Sequence, residues 1–204
     1  MLSVQMTTIA GVDLGPQRPR FKRQISEPDG HVLEPEWEGR RALVRLGQPG
    51  PRFVGYAGPI DGPRELYEAI TVEARCSTAI LDGVLVDEFR EERELELDAD
   101  GNAFVRQAAP RTIFAAFDIL EVDGQILMDV PLLERKRQLE GVLVPSPNVR
   151  LTAYRSRDLR SWRETLQEQG FHRVVVKDWN STYEPGRTAE SWTVVEKIRD
   201  LGRR

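Results

Sequence analysis

The sequence predicts a single domain that mixes β-strands with a smaller number of helices, and three observations carry that reading. Its 204 residues are 40% hydrophobic, enough to enclose one sizeable core. Apolar runs of strand length recur along it: Val32-Leu33, Ala42 to Leu46, Arg52 to Gly58, Thr78 to Val86, Thr112 to Leu120, Val149 to Tyr154, Phe171 to Lys177 and Ser191 to Ile198. Helical spacing appears between those runs.

Residues 1 to 30 alternate polar, Pro and Gly positions without a sustained period and predict a loosely ordered lead-in arm ahead of a domain spanning 31 to 204. The loop Glu36-Trp37-Glu38-Gly39 separates the first two strands, and Gly39 lets the backbone turn tightly without a Cβ. Pro63 to Arg75, with Leu66, Tyr67 and Ile70 on one face, predicts a helix. An Asp100-Gly101 turn predicts a hairpin between Glu94 to Leu97 and Ala103 to Val105. Pro131 opens a second helix through Leu132, Leu133 and Leu139, as proline at a first helical position does. Asp158 to Gln169 predicts a third, with Leu159, Trp162 and Leu166 on one face and Gly170 as its stop.

Composition narrows the setting. A lone cysteine, Cys76, cannot form an internal disulfide and points to a reducing compartment, so a cytoplasmic protein is expected. Metal-cluster spacing is absent, and no stretch approaches the roughly 20 apolar residues of a membrane helix. The formal net charge is −4, but eight acids against Arg90 and Arg93 are concentrated between Asp87 and Asp100. The rest of the chain is therefore slightly basic, with clusters at Arg18 to Arg23, at Arg40, Arg41 and Arg45, and at Lys197 to Arg204. Such clusters can meet phosphates of a nucleic-acid backbone. Only Lys22, Lys136, Lys177 and Lys197 of the 29 basic residues are lysines.

Several motifs, in order, resemble the nucleotidyltransferase domain of ATP-dependent DNA ligases. Glu34-Pro35-Glu36-Trp37-Glu38-Gly39 resembles the loop that presents the lysine taking AMP from ATP, with Glu36 at the nucleophile's place and Glu38 at the motif's aspartate. Leu81-Asp82-Gly83-Val84 resembles a Leu-Asp-Gly-Glu segment whose glutamate helps bind metal. Ala116-Phe117-Asp118-Ile119-Leu120 with Asp123-Gly124 is the best-kept match. His172 to Lys177 matches a Glu-Gly-Val-Val-Ala-Lys segment, with His172 for the glutamate, and Ser181 to Arg187 matches the loop after it. From Trp192, the two lysines of the last motif fall on Val194 and Glu196.

The resemblance implies an α+β fold of two antiparallel β-sheets flanked by helices, with an ATP-type groove between them. It implies Glu34, Phe117 and Lys177 as nucleotide-binding candidates, Phe117 stacking on the purine. With Glu36, Glu38, Val84, His172, Val194 and Glu196 at functional positions, it implies a degenerate, non-catalytic member with no metal site and weak or absent ATP and magnesium binding. The expected role is accessory: contact with a DNA backbone through the arginine clusters, or with a protein partner in a repair complex, and not with a membrane. The alternatives are an active ligase or nucleotidyltransferase using a non-standard lysine, Lys177 being the one in a preserved motif, and a structural interaction subunit. Ligases of this family continue into an oligonucleotide-binding-fold domain, which is not expected within these 204 residues.

Overall fold

The computed structural model describes residues 15–26, 28–47, 52–88 and 110–199, with further strand segments at 8–9, 12–13, 93–97 and 103–107. In chain order the elements are β1 (Thr8–Ile9), β2 (Val12–Asp13), β3 (Arg18–Ser26), β4 (His31–Pro35), β5 (Arg40–Leu46), β6 (Arg52–Gly55), β7 (Gly58–Ile60), α1 (Arg64–Glu73) and β8 (Ala79–Glu88). There follow β9 (Arg93–Leu97), β10 (Ala103–Gln107), β11 (Arg111–Val122), β12 (Gln125–Ile126), α2 (Leu132–Val142), β13 (Val149–Leu151), α3 (Leu159–Glu168), β14 (Val174–Asp178) and β15 (Thr188–Arg199).

Two main sheets result, as the α+β expectation holds. The larger runs β12-β11-β8-β5-β6-β7 with β13 beside β11, and the smaller runs β3-β15-β14-β4. Pairing is antiparallel except for β11 with β13 and β15 with β3. The predicted hairpin forms as β9 and β10, Leu97 opposite Ala103, while its Asp100-Gly101 turn lies outside the described residues.

Side-chain alternation sorts the strands into layers. Leu81 and Leu85 of β8 pack with Leu66 and Ile70 of α1 and Leu139 of α2 on one face of the large sheet. Ile80 and Val84 point the other way and meet Val32 and Trp192 of the small sheet. That sheet turns its far face, through Val174, Val176 and Val195, onto Leu159 and Leu166 of α3. Helices thus cover the outer faces and the cleft opens between the sheets.

Two differences from the sequence reading are instructive. Arg18–Ser26 is an edge strand of the small sheet, not part of a loose arm; backbone pairing with β15 holds it, so its mostly polar sequence shows no apolar period. The run Arg52 to Gly58 is interrupted by a hairpin turn at Tyr56-Ala57, with Gly58 at φ +118 starting the return strand. In β11 ordinary alternation turns Phe114 and Ala116 toward the helices and Phe117 into the inter-sheet space, as a place in the groove requires, and a bulge follows where the register shifts between Ala116 and Asp118.

At Gly83 two elements approach closely: a Cβ there would lie 2.5 Å from the Ala115 carbonyl oxygen and 2.5 Å from the Phe114 ring. Neither neighbour is a flexible side-chain tip, so Gly83→Ala is expected to cost about 1–3 kcal/mol, read as a lower urea midpoint at unchanged slope.

Candidate nucleotide-binding cleft

The cleft has a volume of about 490 Å³ and draws its walls from both sheets. Val84 and Phe117 come from the large sheet, Val175, Lys177, Trp192 and Val194 from the small one, and the loop after β4 crosses its end with Glu36, Trp37 and Gly39. Gly39 is required there, since a Cβ would lie 2.2 Å from the Leu85 carbonyl oxygen.

At the position that the motif resemblance gives to the nucleophile, Glu36 is half-buried, and its carboxylate lies 2.5 Å from Arg173 Nε. The Glu36 backbone N–H donates to the Arg173 carbonyl, so side chain and main chain both tie this loop to the segment before β14. Burial raises the Glu36 carboxyl above its usual range, and Arg173 partly opposes that. Trp37 fastens the same loop by donating from Nε1 to Thr152 Oγ1 at 3.0 Å and by an edge contact with Phe171.

The other positions fall in different places. Val84 and Val194 line the cleft with aliphatic surface. Glu38 and His172 are exposed, and neither is among the lining residues. Glu196 sits on the small sheet 3.9 Å from Arg23. Lys197 lies instead in a separate groove with Arg163 and Gln24. Among the described residues no group of three His, Cys, Asp or Glu side chains is placed to hold a metal ion.

Glu34, Phe117 and Lys177 do come together. Glu34 is buried and shared by two ammonium groups, with Lys136 Nζ against Oε1 and Lys177 Nζ 2.8 Å from Oε2. Lys136 also donates to the Phe117 carbonyl oxygen at 3.0 Å. Lys177 Nζ lies 3.9 Å from the centroid of Phe117 and 4.0 Å from that of Trp192. The Arg41 guanidinium is 4.3 Å from the Phe117 centroid, so the ring proposed to stack on a purine already has two cation partners.

Residue type alone carries no signal for how Arg41 is used. Grouped by composition with Arg40 and Arg45 as a phosphate contact, it is instead buried in a bidentate pair with Asp82, both N–O distances 2.7 Å. Tyr183 donates to the same carboxylate at 2.6 Å and accepts from the Gln17 N–H. Burial, with Asp82 beside it, holds the Tyr183 phenol well above its ordinary value, so it remains a donor. Arg20 and Arg23 pair with Glu190 and Glu196, and most of the cluster from Lys197 to Arg204 lies outside the described residues.

A family description, "ATP dependent DNA ligase domain", matches residues 64–195, more than half of the chain. The chain belongs to that family. This ligase domain is 28% identical over 176 residues to the multifunctional non-homologous end joining protein LigD of Mycolicibacterium smegmatis, across 82% of the chain and 21% of that protein. It is 31% identical over 144 residues to a DNA ligase of Methanothrix thermoacetophila, across 66% of the chain and 26% of that enzyme. The chain thus spans about a fifth to a quarter of these curated relatives. Its fold matches a mycobacterial DNA ligase D complexed with ATP and MES, with a TM-score of 0.67 at 21% identity over 90% of the chain and 60% of that structure.

Burial pushes the Lys177 amine down from 10.5 to about 8, Glu34 opposing and Lys136 assisting the change. The unfolded chain therefore keeps this proton to higher pH than the folded one, so stability rises with pH across the window from about 8 to 10.5. Relative to Lys177→Met, the wild-type ligase domain is expected to gain stability across that window at up to about 1.4 kcal/mol per pH unit, measured by urea unfolding. A flat difference would show an unshifted amine.

Proposed function

We propose that this ligase-family domain is non-catalytic and serves as a binding module in DNA repair or end joining. The observation that carries the reading is the Glu36–Arg173 ion pair at the place of the adenylated lysine. Transfer of AMP needs a neutral amine in line with the α-phosphate and cations to spread the charge that develops. A carboxylate about 4 Å from a phosphate oxygen opposes it by roughly 4 kcal/mol at an effective dielectric near 20, and each 1.4 kcal/mol is about a tenfold step in rate. Val84 and Val194 supply neither a metal ligand nor a phosphate contact. The residues present do not fit a metal-bound triphosphate.

The end-joining setting rests on similarity to LigD, and DNA contact on the exposed basic residues, Arg40 and Arg45 among them. A protein partner would serve the same role without a working pocket. A second reading has one observation in its favour. Lys177 is a cleft-lining amine with a lowered proton affinity, the state a nucleophile requires. Against it stands the Glu34 carboxylate that holds this amine.

Labelled ATP and magnesium, followed by denaturing electrophoresis, separate the two. No protein–AMP is expected from wild type, and little or none from Glu36→Lys, because the new amine still faces Arg173, Val84 and Val194. A variant with Glu36→Lys, Val84→Glu, His172→Glu, Val194→Lys and Glu196→Lys is expected to recover activity in part at most. Robust wild-type adenylation lost in Lys177→Met would establish the second reading.

A further inference from the structure

The mouth of the cleft carries features that neither ATP chemistry nor core packing uses. Tyr56, in the turn between β6 and β7, lines the cleft and is 48% exposed, with the Arg18 guanidinium 4.8 Å from its ring centroid. Phe21 is 58% exposed on the edge strand β3. Its register partner on β15 is Val194, a wall residue, and paired residues of adjacent strands project to the same side, so Phe21 stands beside the opening. An aromatic side chain this exposed contributes little to stability, and here there are two at one cleft.

The charges are arranged to match. Arg18 and Arg40 have no carboxylate partner among the described residues, and Arg40 lines the cleft while donating only to the Asp61 carbonyl oxygen at 3.2 Å. Inside, Trp37, Val84, Phe117 and Val194 offer apolar walls, and the charged groups that line the cleft with them are paired, Glu36 with Arg173, Arg41 with Asp82 and Lys177 with Glu34. An apolar interior behind a rim of aromatic rings and arginines suits a flat, uncharged ring whose attached phosphates stay outside. Aromatic platforms joined to a cationic track are how single-stranded nucleic acid is held without sequence readout.

We propose that the cleft takes one unpaired base of a single-stranded DNA segment, with the neighbouring bases stacked on Tyr56 and Phe21 and their phosphates against Arg18 and Arg40. The inference rests on the non-catalytic reading, because a working enzyme would need the cleft for its nucleotide. A paired base cannot enter without being extruded from its stack, so duplex DNA carries a penalty that a single strand does not.

The test is fluorescence anisotropy of the full chain with a 5′-labelled twelve-residue oligothymidylate and a twelve-base-pair duplex, at two salt concentrations. The single strand is expected to bind at least about tenfold more tightly than the duplex. Tyr56→Ala and Phe21→Ala, both at exposed positions, should each weaken it about tenfold, within the range that base–aromatic stacking supplies. Ala57→Trp, which narrows the mouth from an exposed turn position, should do the same and leave duplex binding unchanged. Arg18→Gln should lower the salt dependence. Duplex binding equal to or tighter than single-strand binding, absence of binding, or indifference to the three mouth variants would overturn the proposal. The adenylation assay is independent: activity in the wild type removes the non-catalytic reading, whereas an inactive chain that shows no preference for single strands removes this inference alone.

Discussion

Asp82 is the anchor on which the cleft depends. It lies in the middle of β8 with no exposed surface, and a bare carboxylate could not remain there; a buried charge left unpaired costs several kcal/mol. Arg41 meets both of its oxygens from the neighbouring strand, and Tyr183 meets one of them from the loop leading to β15. Two of these groups belong to the large sheet and the third to the chain entering the small one. The bond is therefore a tie between the sheets. Gln17 extends it by donating its N–H to Tyr183 Oη, while its side-chain carbonyl accepts from the Glu184 N–H, which draws the residues just before β3 onto the same loop.

Charged residues divide into two groups once this is seen. Asp82 with Arg41, Asp118 with Arg135, and Glu34 with Lys136 and Lys177 are buried and mutually paired, and they hold the frame. Arg135 shows the pattern: two bonds of 2.8 Å to Asp118 and a third to the Ser181 carbonyl fix α2 and the loop after β14 to the bulge in β11. Breaking such a pair by removing one member costs about 3–5 kcal/mol. The positions that differ from the ligase motifs, Glu36, Val84 and Val194, line the open cleft, and His172 and Glu38 are exposed. Substitution costs folding little at the exposed Glu38 and His172, whereas Val84 and Val194 are buried at the cleft wall.

Legibility in the sequence follows the same division. The strand at Thr112 to Leu120 and the helix with Leu66 and Ile70 are visible because burial imposes a period on their residues. Motif order made the fold readable, and it grouped Glu34, Phe117 and Lys177 as nucleotide-binding candidates, side chains that the fold brings together. By contrast, β3 depends on a ladder with a strand some 170 positions away, which leaves no mark on Arg18-Pro19-Arg20-Phe21. Arg41 could not be told from Arg40 by type, because only the pairing face of β5 decides which of them meets Asp82. Glu36 was readable as a departure from a motif, but its union with Arg173 required the loop and the start of β14 to be side by side.

The Glu34 site sets what the cleft can admit. The lowered proton affinity of Lys177 follows first from its burial and then from Lys136 beside it, since the one Glu34 carboxylate that opposes the change is shared between two ammonium groups. Partial release of the proton relieves the repulsion between those two groups without an anion. A single phosphate nearby would relieve it too, but a triphosphate brings several negative charges to one excess cation, and of the other charged lining groups Glu36 is paired with Arg173 and Arg41 with Asp82, which leaves Arg40 as the cation without a carboxylate partner among the described residues. The ligand proposed above is compatible with these electrostatics, since it presents a ring to the interior and few charges, with its phosphates at the rim where solvent and arginine share the load.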